Sequence, residues 1–132
     1  WKCVLIELQS PTDTIYNKKR RFSQGMNEAY NQLEDWKSYI GMNEPAFRSQ
    51  LAELVKGKPA FCSNAAVHIW AETEIRDPMT VIEYDYRAIL GRRNGLDAES
   101  NRKRYQVSYE IITYDRLLDY AKHCDEAKAE WE

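Results

Sequence analysis

The chain has 132 residues, a length that suits one domain with one core. Its 43% hydrophobic and 30% charged residues are ordinary for a soluble globular protein, and no apolar run approaches the ~20 residues that a membrane helix needs. The net charge of -2 does not favour nucleic-acid binding by the chain as a whole, so any such binding depends on local basic clusters. We therefore predict a single domain over residues 1–132 that has no membrane contact.

The cysteines indicate a reducing compartment. Cys3, Cys62 and Cys124 are widely spaced and form no C-x-x-C pair, which argues against a zinc site. Reduced thiols in a cytoplasm are the interpretation that this pattern favours. Because the chain starts with Trp1 directly before an apolar run, we expect it to be a piece of a longer protein.

The first half of the chain predicts one strand and two long helices. Residues 2–9 have the composition of a strand, and residues 10–13 contain turn-forming Ser, Pro and Asp. A second helix is predicted at 45–56, beginning with a proline suited to a first turn. The first helix is predicted at 15–41, because apolar residues repeat there with the spacing of one buried helix face: Phe22, Met26, Ala29, Leu33, Trp36 and Ile40.

The second half alternates strands with helices. The predicted elements are, in order, a short strand at 66–71, a strand at 80–92, a helix capped by Asp97, a strand at 107–113, and a final helix capped by Thr113 with an apolar stripe at Leu117, Leu118, Ala121 and Cys124. This alternation predicts an α/β layer arrangement. The chain has neither a G-x-G-x-x-G motif after the first strand nor a P-loop.

Glu7 and Gln9 are the first candidates for chemistry. They lie two residues apart on the first predicted strand, so their side chains share one face. Mg²⁺ (or Mn²⁺) takes oxygen ligands, and Glu7 with the backbone carbonyl of Leu8 would supply two of them. The amide of Gln9 would orient a water molecule, a role that needs no positive charge.

Other candidates come from the predicted first helix and from basic clusters. If that helix begins by Ile15, then Lys18, Gln32 and Trp36 lie on nearly the same side of it, and Lys18 would stabilise developing negative charge. Asp13, with two aspartates of the last helix, reads better as a turn or cap residue than as a ligand. The residues expected to grip a phosphate backbone are Lys18, Lys19, Arg20, Arg21, Arg92, Arg93, Arg102 and Arg104.

Four segments carry a family resemblance. Residues 6–11 (IELQSP), 29–33 (AYNQL), 88–93 (AILGRR) and 111–118 (IITYDRLL) resemble the Shedu family of bacterial anti-phage nucleases. The resemblance implies a C-terminal PD-(D/E)xK domain, with a restriction-endonuclease-like core of a mixed central sheet flanked by helices. It further implies a bacterial, cytoplasmic, metal-dependent DNA endonuclease that nicks or cleaves invading DNA and assembles as a homo-oligomer, expected to be a tetramer.

The resemblance also assigns residues, with two departures from the family pattern. Glu7 matches the acidic metal ligand, Gln32 matches a glutamine of the following helix, and Trp36 stands where a tyrosine would. The first departure is Gln9, which occupies the position of the usual lysine. The second is the absence of an acidic residue before Glu7, so the other metal-binding aspartate and the N-terminal elements of the fold are expected upstream of this chain.

Two alternatives to a nuclease stay open. A module that kept the nuclease fold but lost its chemistry would bind DNA without cutting it, and Gln9 favours this alternative. A pure oligomerisation domain is favoured by the tyrosine-rich stretch 81–86. Salt dependence distinguishes them, because phosphate contacts weaken as salt rises.

Overall fold

A computed structural model describes the backbone of residues 1–57 and 70–129 and, within these ranges, the side chains as far as residue 123. The predicted strand at 66–71 therefore lies largely outside the described residues, although Ala71 itself begins a helix. The elements are, in chain order, β1 (Lys2–Leu8), α1 (Gln24–Leu54), α2 (Ala71–Arg76), β2 (Glu83–Ile89), α3 (Ala98–Arg104), β3 (Glu110–Ile112) and α4 (Tyr114–Ala129).

The strands form one sheet in the order β1-β2-β3. β2 and β3 are parallel, with Ala88 opposite Ile111. At the two ends of β1, the amide of Glu83 donates to the Trp1 carbonyl and the amide of Gln9 donates to the Ile89 carbonyl, each at 2.9 Å. The start of β1 is bonded to the start of β2 and the end of β1 to the end of β2, so these two strands are parallel. The predicted α/β class is confirmed, and the described strands form a small parallel sheet rather than a mixed one.

β1 alternates strictly between its two faces, as an extended strand must. Cys3, Leu5 and Glu7 are half-buried on one face, whereas Val4, Ile6 and Leu8 are exposed on the other, Leu8 to 60%. The outward face of β1 is therefore apolar and faces solvent within the described part of the chain.

The chain divides into two compact units, each with its own buried residues. One unit comprises described residues within 1–3 and 36–85, and the other comprises those within 4–35 and 86–132. In the second unit, Met26, Ala29 and Leu33 of α1 are fully buried, as are Ala88 and Leu90. The predicted buried face of the first helix is confirmed there. The single-domain prediction stays a prediction.

An aromatic cluster joins elements within the second unit. The ring of Tyr109 lies 5.3 Å from that of Tyr30 and 6.1 Å from that of Tyr86. The Tyr109 hydroxyl donates a hydrogen bond to the carboxylate of Glu34. Burial, followed by the Glu34 carboxylate, raises the pKa of Tyr109 well above its ordinary value, so the phenol keeps its proton and the bond persists across the neutral range.

The first unit has a small buried cluster and one arginine that binds several backbone carbonyl groups. Ala52, Ile75 and Ile82 form the buried cluster. The guanidinium of Arg48 donates to three backbone carbonyl groups that follow or end α2: those of Ile75 at 3.4 Å, Asp77 at 3.0 Å and Thr80 at 2.7 Å. Arg48 thereby satisfies carbonyl groups that the end of a short helix leaves without intrahelical partners.

The helix boundaries differ from the sequence prediction in two places. α1 begins at Gln24 rather than Ile15, because the hydroxyl of Ser23 accepts a hydrogen bond from the Met26 amide and so caps the helix. α1 contains both predicted helical segments, which meet at a kink at Asn43, where φ is -131°, and it ends at Leu54 rather than at residue 56. Pro45 explains the kink, because proline removes a helical hydrogen bond and clashes with the preceding turn.

The C-terminal elements are a mixture of confirmed and corrected predictions. Asp97 caps α3, with its carboxylate accepting from the Ser100 amide at 2.7 Å, as predicted. β3 has three residues, fewer than the predicted 107–113. Leu117 and Leu118 are exposed, so the predicted apolar stripe of the last helix is not buried over its described side chains.

Candidate functional site

The carboxyl ends of the three strands meet at one edge of the sheet within the second unit. The Gly91 amide, after β2, donates to the Ser10 carbonyl, after β1, at 3.2 Å. The Tyr114 amide, after β3, donates to the Gly91 carbonyl at 3.1 Å. In parallel α/β sheets, ligands bind outside these carboxyl ends. This edge is therefore the natural location for a functional site.

Gly91 occupies a position that only glycine fits. Its φ is +66°, in the left-handed region. A Cβ at this residue would overlap the backbone carbonyl oxygen of Asp13. The close approach of two backbones places the Arg92 and Arg93 turn directly beside the residues that follow β1.

Glu7 and Gln9 form a hydrogen-bonded pair at this edge. Both side chains are half-buried on the same face of β1, as predicted. The Gln9 amide nitrogen donates to Oε1 of Glu7 at 3.1 Å. The Tyr114 hydroxyl donates to the Gln9 backbone carbonyl at 2.7 Å and fixes the end of the strand. Gln9 therefore orients one carboxylate oxygen of Glu7, and no bond from another described residue is recorded to Oε2.

The donor set around Glu7 is too small to hold a metal ion alone. Among the described residues, no group of three or more His, Cys, Asp or Glu side chains is arranged to bind a cation. Asp13 belongs to a turn, as predicted, and its amide donates to the Ser10 carbonyl at 3.1 Å. Glu7 supplies one carboxylate and the Leu8 carbonyl is its neighbour in the strand, so a complete site needs acidic ligands from elsewhere.

Lys18 lies in a loop and not on a helix, so its predicted alignment with Gln32 and Trp36 is wrong. Tyr16 and Phe22 pair as an antiparallel bridge that closes the loop. The Asn17 side chain accepts from the amides of Lys19 at 2.9 Å and Arg21 at 3.2 Å. This Asx-type bonding competes with helix formation. It explains why the helix does not include the residues before Phe22, although the apolar spacing had suggested a start at Ile15.

Gln32 and Trp36 lie on α1, and both are half-buried. Their spacing of four residues puts them on one side of the helix, as the sequence predicted. Within the described part of the chain, the structure records no hydrogen bond between Gln32 and Glu7. A role for Gln32 in the site stays a prediction.

The loop that precedes α1 and the helix α3 carry two basic clusters that are distant in sequence but lie side by side. We name residues 17–21 the basic loop; all five are exposed. Arg20 adopts a left-handed φ of 56° and its guanidinium pairs with Glu99 of α3. Lys103 lies 3.7 Å from the same carboxylate group. Glu99 thus brings the basic loop beside the cations of α3, an arrangement that no local pattern predicted.

Arg92 and Arg93 each form an ion pair with an aspartate of α4. Arg92 pairs with Asp115 at 2.8 Å, and Arg93 pairs with Asp119 at 2.8 Å. The Arg93 amide also donates to Asp115 at 2.6 Å. This amide bond, and then the Arg92 guanidinium, lower the pKa of the Asp115 carboxyl below its ordinary value. Asp115 therefore stays ionised and holds the turn against α4, close to its predicted role as a cap residue.

The remaining predicted cations differ in accessibility. Lys18, Lys19, Arg21 and Arg102 are exposed, and for them the structure records no ion pair with another described residue. Arg104 is only 9% exposed, and its guanidinium donates to Asn101 at 2.7 Å and to the Ile111 carbonyl at 2.9 Å. Sequence reasoning missed Tyr114 and Glu99, because their roles depend on partners far along the chain.

These features define an α/β protein with a glutamate at the carboxyl edge of a parallel sheet and basic side chains on adjoining loops. The family model described as "Shedu protein SduA, C-terminal" matches residues 1–118. The chain belongs to the Shedu family, as the sequence resemblance predicted. Membership of this family indicates a role in anti-phage defence. Searches of curated proteins and of solved structures returned no match.

None of the helices in the described ranges is both long enough and apolar enough to cross a bilayer.

Proposed function

We propose that the chain is the nuclease domain of a metal-dependent DNA endonuclease in bacterial anti-phage defence. The observation that carries the proposal is the Glu7–Gln9 pair at the carboxyl edge of the parallel sheet, with Tyr114 fixing the strand end. A restriction-endonuclease-like, PD-(D/E)xK core has a carboxylate at such a strand end. Family membership supports the same assignment, because Shedu proteins are associated with defence nuclease function.

In this proposal, each group at the edge has a distinct task. Glu7 contributes a carboxylate oxygen to the site, and the 3.1 Å bond from Gln9 holds that carboxylate in one orientation. The exposed Lys18 and Lys19 of the basic loop attract the DNA backbone and add positive charge near it. Gln9 is neutral, so positive charge at the reacting phosphate must come from such residues or from the metal.

The proposal needs a second carboxylate from outside the described residues. Bound Mg²⁺ or Mn²⁺ would supply Lewis-acid polarisation of the scissile phosphate and a more acidic water molecule. Glu7 alone does not provide the acidic ligands for this, because no group of three or more His, Cys, Asp or Glu side chains that could hold a metal ion lies among the described residues.

The test compares plasmid nicking by the full-length protein and two matched variants, with Mg²⁺ or Mn²⁺. Glu7→Gln removes the proposed ligand, and Glu83→Gln removes an exposed strand glutamate at the opposite, amino end of β2. We expect Glu7→Gln to lower the nicking rate at least ~100-fold, because metal-ion catalysis contributes several kcal/mol to the barrier. Mn²⁺ affinity, measured by calorimetry, should fall in the same variant. Equal nicking by both variants would remove Glu7 from the mechanism.

A second candidate function is a DNA-binding module without catalysis. Two observations favour it: the described residues contain no group of three or more His, Cys, Asp or Glu side chains that could hold a metal ion, and position 9 is a glutamine. Salt-sensitive DNA binding by the full-length protein, with no metal-dependent cleavage of any tested DNA, would establish this alternative.

A third candidate, a pure oligomerisation domain, has weaker support. The stretch 81–86 that suggested it uses its tyrosine rings internally, because Tyr84 packs 5.9 Å from Phe47 and Tyr86 packs against Tyr109. Assembly as a homo-oligomer, or as a tetramer, stays a prediction that chromatography with light scattering would test.

A further inference from the structure

We propose that a pocket lined by three arginines binds a phosphate group of a nucleotide unit. The pocket lies within the second unit and has a volume of about 230 Å³. The turn after β2, the helix α3 and the first turn of α4 form its walls. The lining residues that matter to the argument are Arg93, Asp97, Asn101, Arg104, Thr113 and Arg116.

Arg104 provides the first argument, because it is a buried cation with only neutral partners. It is 9% exposed. Its guanidinium donates to the Asn101 side chain, to the Ile111 carbonyl and, at 3.0 Å, to the hydroxyl of Tyr105. Among the side chains described, no carboxylate pairs with it. A buried charge without a counter-charge is costly, and an anion in the adjoining pocket would compensate it.

Arg116 provides the second argument, because most of its donors are uncommitted. Its Nε donates to the Tyr120 hydroxyl at 2.7 Å, and its guanidinium carbon lies 5.4 Å from the centre of the Tyr120 ring. This contact holds the side chain in place. Within the described ranges, no partner is recorded for its terminal nitrogens, and they form a rigid fork of the kind that matches phosphate oxygens.

The charge balance of the pocket is positive even after its acids are counted. Asp97 accepts from the Ser100 amide, and Asp119 pairs with Arg93. Asp119 offsets Arg93, and Asp97 keeps its negative charge, so Arg104 and Arg116 leave this region with one net positive charge. The Thr113 hydroxyl adds a neutral donor. A phosphate group, with oxygens in several directions, uses such a set of donors better than a planar carboxylate does.

This inference adds a site to the proposed DNA contacts but does not depend on cleavage. The phosphate group has two possible sources, a polynucleotide backbone or a free nucleotide, and both present the same oxygens. Inorganic phosphate tests the shared chemistry. A deoxynucleoside monophosphate and a short duplex lacking terminal phosphates then identify the source, and tight binding of either one upholds the site.

The experiment is a titration followed by backbone amide NMR. We expect inorganic phosphate to shift the amides of Leu96, Ala98 and Asn101 saturably. Arg116→Gln should raise the apparent Kd about tenfold, the equivalent of one hydrogen-bonded contact to a charged group. The matched control, Lys122→Gln, removes the same charge from an exposed position of α4 that does not line the pocket, and should change Kd less than about twofold.

The outcomes distinguish a failure of the phosphate-pocket proposal from a failure of the proposed nuclease function. No saturable shift, or an equal loss of affinity in the two variants, would overturn the pocket as a phosphate site. Because Arg116 is half-buried and Lys122 is exposed, thermal unfolding of both variants verifies that each is folded. A wild-type protein that binds phosphate at these amides but never nicks DNA would contradict the proposed nuclease and leave the pocket standing.

Discussion

Asp115 shows how one side chain can organise several residues around it. Its carboxylate accepts from the Arg93 amide and from the Arg92 guanidinium, so it both caps the turn after β2 and neutralises a cation there. The sequence alone favoured a turn or cap role for Asp115, as for Asp13 and Asp119, over a role as a ligand. That interpretation was close, but the partner lies 22 residues away on another element, which no local rule identifies.

The bonding of Asp115 predicts an acid-dependent loss of stability. Its pKa lies below the ordinary 3.8 in the folded protein, so the ionised carboxylate favours folding. This contribution is complete well above pH 3.8 and is lost as pH falls through the lowered folded pKa. Asp115→Asn should therefore lower the free energy of unfolding at pH 7 and flatten its fall with pH below about 4. Urea denaturation across this pH range measures both effects.

Asp35→Asn is the matched control for this prediction. Asp35 is an exposed carboxylate of α1 for which the structure records no bond with another described residue. Its replacement should leave the free energy of unfolding at pH 7 almost unchanged. An Asp115 variant with the wild-type acid slope would show that the carboxylate is not the group that titrates.

At the scale of elements, the joining of three strand ends depends on Gly91. Its amide and carbonyl link the residues after β1 and β3, and its positive φ permits the approach to Asp13. The sequence predicted each strand from its own composition, but it did not predict that their ends are tied through one glycine. Backbone strain at a turn depends on which chain segment lies opposite, and that segment is almost 80 residues away in sequence.

Gly91→Ala should destabilise the protein by at least about 2 kcal/mol, because a left-handed φ and a clash with backbone both oppose the new methyl group. Gly95→Ala is the control. A Cβ at Gly95 meets nothing within 4 Å, and its φ is not in the left-handed region, so the change should lie within ~0.5 kcal/mol. Chemical denaturation of the two variants decides the matter; similar stabilities would contradict the tight approach at Gly91.

The helices illustrate a limit of periodicity as a guide to boundaries. The spacing of Met26, Ala29 and Leu33 correctly identified a buried helix face. It also suggested a start at Ile15, because Phe22 fits the same spacing. Asn17 and Ser23 determine the true start by hydrogen bonding to nearby amides, which an apolar pattern does not register.

At the scale of the whole molecule, the net charge does not show that basic side chains are clustered on one surface. The overall charge is -2, yet the basic loop and α3 are joined through Glu99 into one surface that carries exposed cations. Other basic residues are neutralised by local acids, such as Lys2 by Asp85 at 3.2 Å. A phosphate backbone responds to the local field and not to the sum.

This distribution predicts the salt dependence of DNA binding. Replacing Lys18 and Lys19 by Gln should weaken binding to DNA of any sequence and reduce the slope of log K against log salt by about 2, or roughly one for each phosphate contact. The matched double variant, Lys2→Gln with Lys56→Gln, removes two cations that are paired with Asp85 and Glu53 and should leave the slope nearly unchanged. Equal slopes in the two double variants would exclude the basic loop from the interface.

The exposed apolar face of β1 also belongs to this scale. Val4, Ile6 and Leu8 are exposed in the described part of the chain, which differs from the usual burial of a continuous aliphatic run.

The sequence by itself determined the features that depend on neighbours within a few residues. These are the shared face of Glu7 and Gln9, the buried stripe of α1, the cap at Asp97 and the family to which the chain belongs. Alternation along a strand, helical spacing and capping are short-range properties, so they can be inferred without a fold.

Only the tertiary structure decided which distant residues meet. It paired Arg20 with Glu99, tied the three strand ends through Gly91, and enclosed a pocket beside the buried Arg104. Such contacts join residues as distant in sequence as Arg20 and Glu99, which are separated by 79 positions. They depend on how the sheet and helices pack, and packing is a property of the folded chain rather than of any local segment.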